Sequence, residues 1–182
     1  MKSSETLKTN LKKEEGFSPK KYADGMINGV QQYSIGYGHQ ILPGEKYLLT
    51  TTLTKAQADA IFNKDLLTYE AAVNRTKRAL TQNQFDALVS FAYNAGTGAL
   101  AKVLETWNAT GDSVKTTDRM KLYNKWRKDG VLQVHQGLVS RRLKEAAIFL
   151  LSGVTEAAAE VKKKVPVCPH CGGDIDNLVS HP

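Results

Sequence analysis

The sequence predicts an α+β fold, with a small antiparallel sheet near the N-terminus and helices after it. Three observations carry this prediction. Gly25, Gly29, Gly36, Gly38, Pro43 and Gly44 punctuate short runs holding Val30, Tyr33, Ile35 and Tyr37, the pattern of a turn-rich sheet between Phe17 and Tyr47. From Thr54 onward apolar residues recur at helical spacing. Strands and helices are segregated along the chain rather than alternating, which separates α+β from α/β architecture.

The elements follow in order. Ser3 or Ser4 caps a first helix running to about Glu14, with Leu7 and Leu11 on one face and Gly16 ending it. The sheet region follows. Thr54 then caps a long helix marked by Ala58, Ile61, Phe62, Leu66, Tyr69 and Val73. After a break near Leu80-Thr81, a helix carries Phe85, Leu88, Val89, Ala92 and Tyr93 as one stripe, and Gly96 and Gly98 are expected to end it. Further helices are expected over Leu100–Trp107, Thr117–Lys128 and Val139–Leu151, with Asn108–Ser113 as a polar connector. The expected architecture is a β-lobe joined by a long helix to a helical lobe, with a cleft between them.

A composition shift divides the 182 residues into three parts: a domain over 1–152, an Ala-, Glu- and Lys-rich linker or helical extension over 153–167, and a Cys-containing tail over 168–182. The formal net charge of +7 favours an anionic partner and also serves solubility. No dense basic helix or aromatic platform for base stacking accompanies it, so a nucleic-acid partner is not expected. The N-terminal residues lack the apolar core of an export signal, and no run approaches the ~18 apolar residues of a membrane span. Accumulation in the cytoplasm is therefore expected. The two cysteines both lie in the tail, so the main domain has no disulfide framework.

The stretch Glu14–His39 carries the candidate chemistry. Glu15 precedes Gly16, Asp24 follows nine positions later, and Ser34 lies in the run Tyr33-Ser-Ile-Gly-Tyr-Gly-His39. Two carboxyls in unlike surroundings, with a hydroxyl nearby, suit cleavage of a glycosidic bond. Glu15, at a helix end beside Phe17, suits the protonated acid; Asp24, in a glycine-rich turn region, suits the ionised partner. Spacing alone equally allows a solvent-facing Glu and a turn-forming Asp, and does not separate Glu14 from Glu15.

These motifs resemble the phage-type lysozymes, the endolysins or muramidases of glycoside hydrolase family 24. Glu15-Gly16 with Tyr22-Ala-Asp24 looks like the family's acid and its carboxylate partner. Tyr33–His39 looks like its strand bearing a third catalytic residue. Thr81–Leu88 with Phe91–Gly96 looks like its core helix, and Trp126 with Gly137-Leu-Val-Ser-Arg-Arg142 and Glu145 like its C-terminal helical segment. The resemblance implies hydrolysis of the β-1,4 bond between N-acetylmuramic acid and N-acetylglucosamine in bacterial peptidoglycan, with Glu15 as general acid and Asp24 activating water. It implies an inverting displacement, with carboxyl groups about 6.5–9.5 Å apart. Ser34 stands where the family usually has threonine, and keeps the hydroxyl without the γ-methyl that fixes its rotamer. The Gly25–Tyr33 loop is longer than the family's, with glycines suited to an extended hairpin. These two departures leave a glycan-binding relative with weak or no activity as the alternative.

Other residues follow from the resemblance or their surroundings. Asn94 and Tyr93 are candidates to line the sugar site; a helix-terminal amide and a core aromatic are the plainer roles. His39 is expected to tie the β-lobe to a nearby acid. Arg141 or Arg142 is a candidate partner for Glu15, although an Arg-Arg pair also suits a solvated helix face. No cofactor is expected for catalysis. The tail's Cys168-Pro-His-Cys171-Gly-Gly is a zinc half-site by spacing, and His181 offers a third ligand; free thiols in a tail fit the same residues. A monomer is expected, held in the host cytoplasm until a holin-like pore releases it to the wall.

Overall fold

The computed structural model describes residues 1–27, 29–128 and 131–151. The expected 153–167 extension and the 168–182 tail, with Cys168, Cys171 and His181, lie outside these residues.

Helix α1 covers Glu5–Glu15. Ser4 caps it, its hydroxyl accepting from the Leu7 amide at 3.1 Å, and Gly16 ends it at φ 70°. Leu7 and Leu11 are its buried face. Strands β1 (Ser18–Ile27), β2 (Val30–Gly36) and β3 (His39–Gln40) form an antiparallel sheet in sequential order. The β1–β2 pairing extends to Ile27↔Val30, so the long loop is an extended hairpin, as its glycines suggest. Its register shifts between Ala23 and Met26. Residues Pro43–Leu49, expected to belong to the sheet region, form 3₁₀ turns instead, with Pro43 pre-set for the first turn.

Thr54 caps α2 (Lys55–Val73) through a reciprocal pair with Gln57. At 1.5 Å per residue its 19 residues span about 28 Å. Ala58 and Ile61 pack in a small core with Ile35, Leu48 and Leu53, whereas Phe62, Leu66 and Val73 belong to the larger helical core. One helix thus holds both lobes. Tyr37 touches both cores, its ring 5.6 Å from Phe17 and 5.8 Å from Phe62.

Helix α3 (Gln82–Thr110) departs from expectation. Gly96, at φ 84° and ψ 162°, breaks its geometry, but the chain resumes helical form at once and absorbs the expected Leu100–Trp107 helix. Buried apolar side chains on both sides of the break, Phe85 to Ala92 and Leu100 to Trp107, enter one core and hold the two halves together.

The expected Thr117–Lys128 helix is also corrected. Helix α4 covers Ser113–Lys121, started earlier by Asp112, whose carboxylate accepts from the Val114 and Lys115 amides. Then β4 (Lys125–Lys128) pairs antiparallel with β5 (Val131–Val134). Trp126 is therefore on a strand. The Asp129-Gly130 pair between two β-favouring runs is the hairpin signal that outweighs helical spacing here. Helix α5 (Gln136–Leu150) returns across α3 and α4 and brings Arg141, Arg142 and Glu145 inward.

The break at Gly96 occupies a backbone region nearly exclusive to glycine. Gly96→Ala is expected to lower stability by about 1–3 kcal/mol in urea unfolding. Gly98→Ala, at an open helical position, is expected to be neutral or stabilising by up to about 1 kcal/mol.

Candidate functional site

Three segments bring the candidate residues together: the end of α1, the face of the β1–β2 hairpin and the start of α5. Glu15 is the last residue of α1, its side chain 21% exposed. Arg141 on α5 donates through Nη1 to Glu15 Oε1 at 2.7 Å. A carboxylate at a helix C-terminus meets the negative end of the helix dipole, and Arg141 supplies the compensating charge. The other oxygen, Oε2, faces the tight turn after β2; a Cβ on Gly38 would stand 3.4 Å from it. Gly38, at φ 84°, lets the turn approach this close.

The two adjacent acids face different surroundings. Glu14 points away from the sheet. It lies 3.7 Å from Arg141 Nε and 3.6 Å from Lys144, and lines a groove of about 880 Å³ between α1, α3 and α5. That groove touches neither Asp24 nor Ser34.

Asp24 is exposed, as expected of the wetter carboxyl. Tyr22 pairs with Ser34 across the ladder, so Tyr22, Asp24 and Ser34 project from one face, Asp24 diagonal to Ser34. The bulge beginning after Ala23 falls at this point, where such irregularities re-aim a side chain. The Ser34 hydroxyl donates to Asp24 Oδ2 at 2.5 Å and is fully buried. It therefore reaches the solvent side of the site through Asp24, not by its own surface.

Tyr22 was not singled out from the sequence. Burial raises its phenol pKa first, and the charges of Asp24 and then Glu15 raise it further, against a lowering contact with Ser34. The phenol thus lies within the field of both carboxylates. The sequence signal was its place two residues before Asp24, on the same strand face.

Behind Glu15 lies a buried charge network. Glu145, 2% exposed, receives the Ser90 hydroxyl at 3.0 Å, Arg142 Nη2 at 2.9 Å and Arg141 Nε at 3.3 Å. Arg142, 1% exposed, also donates to the Tyr123 carbonyl at 3.3 Å and lies over the Phe91 ring. Burial pushes the Glu145 carboxyl up and the Arg142 guanidinium down, and their mutual attraction works against both shifts. Burial also works against the charge of Arg141, but Glu15, Glu145 and Glu14 outweigh it and hold the guanidinium above its usual range. The Arg-Arg pair is thus not a solvated helix face. Arg141 meets the acid, and Arg142 anchors the network.

Asn94 is exposed, and its Oδ1 accepts from Arg142 Nη2 at 2.9 Å. Tyr93 packs against Phe62 and Tyr69 and donates its hydroxyl to the Tyr37 carbonyl at 2.7 Å. Burial, then Asp65 and Glu15, raise its pKa strongly, so it stays a neutral donor. It ties the helical core to the turn above Glu15. His39 bridges two acids, with Nδ1 2.8 Å from Asp65 and Nε2 2.9 Å from Glu45. The hydrogen bond to Asp65 raises its pKa, burial opposes this, and the Asp65 and Glu45 charges support it. Its expected structural role fits this geometry.

The chain matches the phage lysozyme family over residues 12–145, which include all of this apparatus. The chain belongs to the phage lysozyme family. It is similar to the endolysin of Bacillus phage PZA, 37% identical over 142 residues, covering 76% of this chain and 51% of that one. It spans about half the length of the first curated relatives that it matches. Among solved structures, it is similar to the endolysin from Escherichia coli O157:H7 phage FAHEc1, with TM-score 0.71, 33% identity and coverage of 82% of this chain and 94% of that one. It is also similar to the muramidase domain of SpmX from Asticaccaulis excentricus, with TM-score 0.69, 32% identity and coverage of 82% and 97%. The lysozyme-like α+β fold is thus shared across both lobes.

Two outcomes follow from the buried charges. Arg142→Met leaves Glu145 buried without its nearest cation and is expected to cost about 3–5 kcal/mol in urea unfolding, with Glu145→Gln in the same chain recovering part of the loss. His39 has a raised folded pKa, so its stabilisation is full below about pH 6.5 and is lost as pH rises through the folded value. The stability gap between the parent and His39→Gln should therefore shrink from pH 5 to pH 8; a constant gap would contradict it.

Proposed function

We propose that this chain is an endolysin that hydrolyses the β-1,4 bond between N-acetylmuramic acid and N-acetylglucosamine in bacterial peptidoglycan. The observation that carries this reading is the pairing of two differently supported carboxyls: Glu15 half-enclosed against Arg141, and Asp24 exposed over Ser34. Membership of the phage lysozyme family and likeness to a muramidase domain support the same chemistry.

In the proposed reaction Glu15, protonated, gives its proton to the glycosidic oxygen as the bond to the anomeric carbon breaks. Water attacks that carbon from the opposite face and loses its proton toward Asp24. The proton returns to Glu15 through solvent. Ser34 is a positioning residue here, because its one proton is donated to Asp24 and its surface is buried. Arg141 fixes the rotamer of Glu15. Asn94 and Tyr93 are proposed for the wall of the sugar site, Tyr93 through its hold on the Tyr37 turn. Two carboxyls and water complete this chemistry, so no cofactor is invoked.

The catalytic unit is proposed as residues 1–152, with 153–167 as linker and 168–182 as an accessory tail. Cys168, Cys171 and His181 are a donor set that suits zinc, with a fourth ligand from water or a second chain. Among the described residues there is no group of three His, Cys, Asp or Glu placed to hold a metal ion. No described helix is long and apolar enough to cross a membrane. The proposed course is accumulation as a monomer in the host cytoplasm and release through a holin-like pore to an anionic wall that suits the +7 charge.

On purified peptidoglycan, Glu15→Gln is expected to lose about 10²–10⁴-fold in rate with its circular dichroism unchanged. Products should carry free reducing ends, not anhydro-muramic ends. Parent-like hydrolysis by Glu15→Gln would overturn the assignment. For the tail, metal analysis should find zinc in the full chain and none after truncation at Ser152; a metal-free full chain removes the zinc proposal.

A further inference from the structure

The β4–β5 ribbon is used by neither the carboxyl site nor its supports. Every side chain of β5 is exposed, with Val131, Leu132 and Val134 each more than half exposed. Lys125, Trp126 and Arg127 on β4 are exposed too. Trp126 rests on the His135 ring at 4.6 Å, but Val131, Leu132 and Val134 lie open to water, and a two-stranded ribbon so exposed is marginal without a partner.

The register states how they are arranged. Lys125 lies opposite Val134, and Arg127 opposite Leu132. Directly opposed residues share a face. One face therefore carries a basic row along β4 beside an aliphatic row along β5. The other carries Trp126 opposite Gln133, together with Val131. Leu122, just before the ribbon, is 62% exposed and extends the apolar surface.

We propose that this ribbon docks on a bilayer containing anionic phospholipid. An aliphatic row enters the acyl boundary while the adjacent Lys125 reaches the headgroup phosphates on its flexible stem. Trp126 has the amphipathic ring that settles at that boundary. A glycan fits less well, because Val131, Leu132 and Val134 offer no hydrogen bonds to sugar hydroxyls. A second copy also fits less well, because self-pairing would oppose the same basic side chains in a chain of charge +7. Attachment would hold the enzyme at a membrane surface independently of the carboxyl site.

The chain's two tryptophans make the test direct. Trp107 is buried against Phe149, so Trp126 is the environment-sensitive one. The full chain is mixed with phosphatidylglycerol–phosphatidylcholine vesicles and with phosphatidylcholine vesicles. Cosedimentation and a blue shift of emission are expected with the first alone. Leu132→Asp should weaken this partition by about tenfold or more, and Lys125→Glu by about fivefold. Both variants should hydrolyse lipid-free peptidoglycan at the parent rate. Glu15→Gln should bind vesicles like the parent, so failure here is distinguishable from failure of the hydrolase reading. Absence of binding to the anionic vesicles overturns the proposal. So does parent-like binding by Leu132→Asp, which would move the contact to another basic segment such as Lys162–Lys164. A blue shift on purified wall polymer without one on vesicles would also overturn it.

Discussion

The ion pair between Arg141 and Glu15 joins residues 126 positions apart, and the site depends on it. Glu15 ends the first helix and Arg141 lies in the first turns of the last. Neither helix alone defines where the acid points. Arg141 is itself held, by Glu145 beneath it, and Glu145 is held by Arg142 and Ser90. Arg142 in turn reaches Asn94 and the Tyr123 carbonyl. The acid is thus fastened to the body of the helical lobe through a chain of charges, not through apolar contact. Such a chain costs desolvation, and its compensation is directional precision at one carboxyl.

The second carboxyl is positioned by different means. Asp24 sits on a twisted hairpin with a shifted register, and its partner is a neutral hydroxyl on the next strand. The two supports therefore impose opposite conditions: a cation directly on one acid, and solvent with a neutral donor on the other. A pair of carboxyls whose surroundings differ in this way is what acid and water-activating roles require. The aromatic series Phe17, Tyr37, Phe62, Tyr93 and Tyr69 connects the two halves and keeps their separation.

Much of this was legible in the sequence, for definable reasons. Ser4, Thr54 and Thr81 read as helix starts because a capping hydroxyl acts within three residues of itself. The β1–β2 hairpin read correctly because glycine spacing is a local constraint, whereas Pro43–Leu49 forms 3₁₀ turns. The misreadings arose where distant packing overrides a local signal. Gly96 has the backbone of a helix stop, yet the buried stripe on either side carries the helix through. Residues 117–128 read as one helix from the sequence, yet 125–128 pair as a strand with 131–134. At the site, spacing alone did not separate Glu14 from Glu15 and the family resemblance chose Glu15; in the fold Glu15 lies against the Gly38 turn, while Glu14 lines the groove between α1, α3 and α5. Glu145 was missed as a site residue because Ser90 is brought to it by tertiary contact; Tyr22 carried a local signal in its place two residues before Asp24.

The serine in the third position gains a definite meaning from its burial. A threonine's γ-methyl would limit its rotamer, and serine gives up that restraint. Here the restraint is supplied by the surroundings: Ser34 has no exposed surface, and its neighbour Ile35 is locked in the small core with Leu48 and Leu53. Its hydroxyl has an acceptor in Asp24, so the proton has a defined direction. The orientation of the Asp24 carboxylate is then one that a buried serine can hold as a threonine would. The longer hairpin does not disturb this contact, because the added pairs lie beyond the bulge, toward Ile27 and Val30. The longer hairpin is thus separated in space from the bond between Ser34 and Asp24, and the serine keeps that bond.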